Sequence, residues 1–118
     1  MENKIKKYAF DIQESINAIQ KYTEGLSYDD FAAQRMLRKA IEREFEIIGE
    51  AMNRINKIDP DVAVSSKREI INMRNKVIHG YDMVEDIEIW QTIHNSLPQL
   101  KEEIQKILQK DCSQDIGL

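Results

Sequence analysis

Apolar residues Ile5, Ala9, Ile12, Ile16 and Ile19 recur at alternating steps of four and three, which puts them on one face of a helix running from about residue 3 to 22. Gly25 in "TEGLSYDDF" breaks that pattern. Ser27, or the acidic run Tyr28-Asp29-Asp30, then supplies capping chemistry for the start of the next helix. There Leu37, Ile41, Phe45, Ile48, Met52 and Ile55 form a second stripe ending near Lys57, with Pro60 beyond it as a stop signal. Gly49 inside this stripe costs about 1 kcal/mol relative to Ala, so close approach of another helix is expected there. A third helix should start at Ser65 or Ser66 and carry Ile70, Met73 and Val77, with Ile71 and Ile78 alongside. Ser66 and Glu69 have the spacing of a capping box, and Gly80 is placed to end the helix in a left-handed cap, leaving His79 in the last turn. From Glu85-Asp86 a fourth stripe runs through Trp90, Ile93, Leu97, Leu100, Ile104 and Ile107. Pro98 interrupts it, but the stripe keeps its register on both sides, which predicts a kink and not an end.

No segment alternates with period two, so no sheet is expected. Four amphipathic helices joined by short connections predict an all-α, antiparallel up-and-down four-helix bundle with a kinked last helix. Residues 1–110 should form one domain, and residues 111–118 a frayed tail.

Composition narrows the function. No apolar run is long enough to span a bilayer, and the N-terminal "MENKIKKYAFDIQ" lacks the apolar core of a signal peptide, so a cytoplasmic protein with no membrane partner is expected. Cys112 is the single cysteine and cannot form an intrachain disulfide, in keeping with a reducing compartment. A net charge of −4 argues against a general nucleic-acid coat, so any RNA contact must be local. The chain has no glycine-rich phosphate loop, no CxxC, no HExxH and no GxSxG. With His79 and His94 as the only histidines, no metal site or cofactor is expected. His94, one turn past Trp90, reads as a surface residue, and Glu42, Glu44, Glu46 and Glu50 read as ion-pair partners of Arg38, Arg43 and Arg54 on a solvated face. Tyr8, Phe10, Phe31, Phe45 and Trp90 read as core or interface.

The stretch "MRNKVIHGYD" fits neither a bland surface nor a bland core. Arg74 and His79 lie five residues apart, about 140° around an ideal helix, and can face one cleft if His79 leaves the last turn where Gly80 redirects the chain. Guanidinium and imidazole repel when both are charged, which makes them a poor structural pair. They suit phosphoryl chemistry: His can move a proton near pH 7, and Arg can clamp a phosphate with its planar fork.

"RNKVIHGY" resembles the active-site signature of the HEPN ribonucleases in its HepT-like form: Arg, a polar Asn, three further residues, His, one residue, Tyr. The likeness covers nearly the whole chain, since "RKAIEREFEIIGEAMNRI" is similar to the family's second long helix and "DIEIWQTIHNSLPQLKEEI" to its last. One departure is the loop "DPDVAVSS" before the third helix, where relatives often carry an aromatic residue. The resemblance implies a homodimer of four-helix bundles whose two motif copies meet in one RNA cleft, metal-independent endoribonuclease activity, and a toxin role beside a nucleotidyltransferase antitoxin. Carried onto these residues, it implies proton transfer by His79, phosphorane stabilisation by Arg74, orientation by Asn75, and attachment of AMP by the partner at Tyr81. Converging arginines call for nearby acid, and Glu50 is the candidate. A non-catalytic module binding RNA or nucleotides beside a nucleotidyltransferase, and a purely structural helical dimer, remain as alternatives.

Overall fold

The computed structural model describes residues 2–79 and 85–117, with side chains described for 3–78 and 85–109. Within these residues the chain forms six helices and no strand: α1 (Glu2–Thr23), α2 (Tyr28–Ala33), α3 (Arg35–Ile58), α4 (Lys67–His79), α5 (Asp86–Asn95) and α6 (Leu97–Gly117). The long columns α1, α3, α4 and α5–α6 are the four helices of the expected bundle, and α3 packs against both α1 and α4. Ala9, Ile12, Ile16 and Ile19 of α1 meet Ile41, Phe45, Ile48, Met52 and Ile55 of α3 in a fully buried core, which Ile70, Leu97, Leu100 and Ile104 complete. Phe10 is the exception among the aromatic residues read as core or interface, being 52% exposed.

After α1 the chain turns at Gly25, whose φ of 75° is a left-handed conformation that favours glycine. Ser27 then caps α2, accepting from the Asp30 amide at 3.1 Å while the Asp30 carboxylate accepts from the Ser27 amide at 3.1 Å. The expected second helix is in fact two. Gln34 takes an extended backbone, with φ −107° and ψ 97°, and divides α2 from α3. Phe31, in α2, is fully buried beside Trp90, with ring centroids 5.3 Å apart.

At Pro98 the helical column bends and continues. The Ser96 amide donates to Thr92 O at 3.0 Å, and Ser96 O accepts from the Leu100 amide at 3.0 Å, so the ladder crosses the position where proline has no N–H to give. Ile93, Leu97, Leu100 and Ile104 stay buried through the bend. The capping box expected at the start of α4 does not form. Ser66 O accepts from the Ile70 amide at 2.9 Å, but its hydroxyl has no partner, and the Glu69 carboxylate instead accepts from the Ser96 hydroxyl at 2.8 Å. Val64, in the loop before α4, is buried.

Candidate active site

Gly49 sets the site by letting α4 lie directly on α3. A Cβ built at Gly49 would stand 2.1 Å from Arg74 Cβ and 2.7 Å from Arg74 Cγ, so the arginine stem occupies the space that any larger residue would need. From there the guanidinium reaches along α3 to the next residue, with Arg74 Nη2 2.6 Å from Glu50 Oε2. Its other terminal nitrogen, Nη1, donates to Asn75 Oδ1 at 3.0 Å. Glu50 is shared, because its Oε1 accepts from Arg54 Nε at 3.0 Å. Arg54 in turn lies over the Tyr8 ring, 5.9 Å from its centroid, and first Tyr8 and then Glu50 hold its guanidinium above the ordinary arginine range.

Two cations and one carboxylate leave this cluster net positive. Arg74 has five N–H donors, of which the described residues take one on each terminal nitrogen, while Nε is buried with no partner. The Arg74 side chain is 27% exposed and Glu50 38%, so the cluster is held by packing on one side and open to solvent on the other. An arginine in that state has a fixed fork and donors to spare, which suits a phosphate.

The structure therefore brings Arg74, Asn75 and Glu50 together. His79 closes α4, and its backbone stays helical; its imidazole lies outside the described side chains. Position 79 thus does not leave the last turn, and at ideal register it stands about 140° around α4 from Arg74 and about 7.5 Å along the axis. Gly80 and Tyr81, the expected cap and modification site, lie outside the described residues, as does the Cys112 side chain. His94 is exposed and meets the edge of Trp90 at 4.4 Å, the surface position expected for it. Arg43–Glu46 is a within-helix ion pair on α3, as the spacing implied, whereas Glu42 pairs with Lys39, which the reading did not name. Arg38 departs from that reading: it turns toward Asp86 of α5, 3.6 Å away, and donates to Ala32 O. The spacing of Glu50 and Arg54 signals their ion pair, but nothing in it signals that Arg74 shares the same carboxylate. Among the described residues no group of three or more His, Cys, Asp or Glu side chains gathers as a metal site, and no helix is long and apolar enough to cross a membrane.

Gly49→Ala tests this architecture. Its Cβ would overlap the backbone-proximal stem of Arg74 and not a flexible tip, so α4 must move. The expected result is a loss of about 1–3 kcal/mol from overpacking, outweighing the helix-propensity gain of about 1 kcal/mol. Urea unfolding measures it, and an unchanged or raised midpoint would show that the helices are not in close contact here.

The protein-family model described as Ribonuclease HepT-like matches residues 12–107. A Thermococcus cleftensis protein named a probable ribonuclease HepT is 32% identical over 111 residues, covering 91% of this chain and 98% of its own. A Methanocaldococcus jannaschii protein whose name proposes an RNase is 32% identical over 105 residues, covering 88% of this chain and 87% of its own. A third, from Caldanaerobacter subterraneus and named in the same way, is 33% identical over 107 residues, covering 90% and 96%. No solved structure matches the chain.

Proposed function

The chain belongs to the HepT-like ribonuclease family, and from that premise we propose that it is a metal-independent endoribonuclease, the toxin of a toxin–antitoxin pair, acting in the cytoplasm as a homodimer. The observation that supports this most is the state of Arg74: its stem is fixed on Gly49, its fork is oriented by Glu50 and Asn75, and it has donors left over.

In the proposed reaction a neutral His79 takes the proton of a ribose 2′-hydroxyl. The freed oxygen attacks the adjacent phosphorus, and Arg74 stabilises the added negative charge of the phosphorane. The bond to the 5′-oxygen then breaks, and that oxygen takes a proton from a protonated imidazole. A dimer that brings two motif copies together provides one histidine for each proton transfer. It also concentrates the positive charge of two Arg74 clusters in one cleft of an otherwise acidic protein, which offsets the net charge of −4 for an RNA ligand. Asn75 and Glu50 act through Arg74 as positioning residues.

Cleavage of a mixed tRNA preparation by the purified protein in excess EDTA tests the proposal. Fragments should accumulate at an undiminished rate. Binding of RNA without cleavage would favour a recognition module, and activity that returns only with a divalent ion would remove the metal-free mechanism.

Neutralisation is proposed to occur at Tyr81, two residues beyond His79. A partner nucleotidyltransferase with ATP and magnesium should add AMP there, mapped by mass spectrometry to the peptide containing "VIHGYD", and cleavage should stop. Each phosphodiester would place negative charge where the substrate phosphate must bind. Tyr81→Phe should remain active and escape this control, and an adduct mapping elsewhere would remove Tyr81 from the role.

A further inference from the structure

We propose that the groove between α4 and α5 is a subsite for an unpaired nucleobase of the RNA; this rests on the ribonuclease reading above. The groove encloses about 680 Å³ and is walled by Arg68, Asn72 and Lys76 of α4 and by Gln91 and Asn95 of α5. That volume is within the range of small-molecule pockets, roughly 300–1,000 Å³.

Two bridges fix its width. Lys76 Nζ lies 2.7 Å from Glu88 Oε1 at one point, and the Ser96 hydroxyl donates to Glu69 Oε1 at 2.8 Å at the other. Within the groove, the exposed side chains of Arg68, Asn72, Gln91 and Asn95 make no hydrogen bond or ion pair with any described residue. The Ser66 hydroxyl, buried in the groove wall, is likewise unpaired among the described residues.

The charges decide what such a groove can hold. Arg68 and Lys76 contribute two positive charges, Glu69 and Glu88 two negative, and the sum is zero. A phosphate clamp would carry an excess of cations, as the Arg74 cluster does. Here the free groups are amides, each donating and accepting, together with one planar guanidinium. That combination matches the edge of a base, with arginine able to stack on its face.

The position fits as well. At ideal register Arg68, Asn72, Lys76 and position 79 fall within about 80° of one another on α4, and the stripe runs about 16 Å along the axis. The groove thus follows α4 toward position 79, while Arg74 stands about 160° around the helix from Asn72 and Lys76, so a strand held here passes the end of α4 at position 79 before it reaches the Arg74 fork.

The test uses Asn72→Ala/Gln91→Ala, both at exposed positions, and a single-stranded RNA pool with a randomised stretch. In the His79→Ala background the double change should weaken binding about tenfold. The salt dependence should keep its slope, because no charge is removed. In the active protein the same change should flatten the base preference around the cut sites. Lys7→Ala, on exposed α1, should leave both unchanged. An unaltered affinity and cut-site pattern in the double variant, with the parent cutting normally, would overturn the subsite and leave the ribonuclease reading standing. The subsite is equally overturned if RNA handling is unaltered but a partner protein no longer binds, since the groove would then be a protein dock. A parent that neither binds nor cuts the pool would overturn both readings.

Discussion

His79→Ala should lower RNA cleavage by about two to four orders of magnitude while the helical circular dichroism and the assembly state stay unchanged. The expectation rests on what the rest of the site lacks. A guanidinium is a poor proton-transfer group in proteins and a carboxamide has no proton to exchange, so neither Arg74 nor Asn75 can replace an imidazole. Position 79 is the last residue of α4, and alanine is a strong helix former, so the helix itself should survive the change. A rate within a few-fold of the parent would mean that another group moves the proton. His94 is exposed against the edge of Trp90 and lies beside the C-terminal end of α1, and His94→Ala in parallel separates the two histidines.

Arg74→Lys should cost about two orders of magnitude in cleavage, nearly as much as removing the charge altogether. Lysine keeps one positive charge on a stem that still passes Gly49, but it has no fork. The parent arginine donates from one terminal nitrogen to Glu50 and from the other to Asn75, and these two contacts fix the plane of the guanidinium. An ammonium can satisfy Glu50 alone and then points at it, away from a substrate. Steady-state kinetics distinguish this from a loss of general attraction: kcat should fall more than KM rises, since the fork acts on the charge that develops in the transition state. Near-normal kcat in Arg74→Lys would mean that Arg74 supplies only background potential.

Much of the bundle was legible from periodicity alone. The stripes of α1 and α3 name residues that are fully buried, apart from the partly buried Ile5 and Leu37 at their starts, because a period of three and four has one physical meaning once both faces of the pattern are present. The break at Gln34 was not legible. No glycine or proline marks it, and the α2 residue Phe31 packs against Trp90, fifty-nine positions along the chain, a contact that local spacing cannot register. The Ser66–Glu69 capping box failed for a related reason: Ser96, brought alongside by the bend near Pro98, takes the Glu69 carboxylate. Local spacing cannot register a competitor that only the tertiary fold supplies.

The candidate site divides in the same way. Gly49 was readable as a point of close approach, because a helix interior tolerates glycine poorly without a reason, and the stem of Arg74 is that reason. The need for an acid near Arg74 followed from charge. Glu50 was the acid named, and it is the one that Arg74 reaches; that it is shared with Arg54 and backed by Tyr8 is a matter of α3, α4 and α1 meeting at one level, which no single helix encodes. The α4–α5 groove was invisible to pattern reading, since its residues are ordinary polar positions on two separate helices.

The central claim is that the 2′-hydroxyl of RNA is the nucleophile. Mass spectrometry of the products in EDTA tests it most directly, because each mechanism leaves its own ends. Attack by the 2′-oxygen predicts a 2′,3′-cyclic phosphate on one fragment and a 5′-hydroxyl on the other, with no cutting when a 2′-deoxynucleotide replaces the residue before the cut. A 5′-phosphate and a 3′-hydroxyl would show that water attacked the phosphorus, and the roles assigned to His79 and Arg74 would be contradicted.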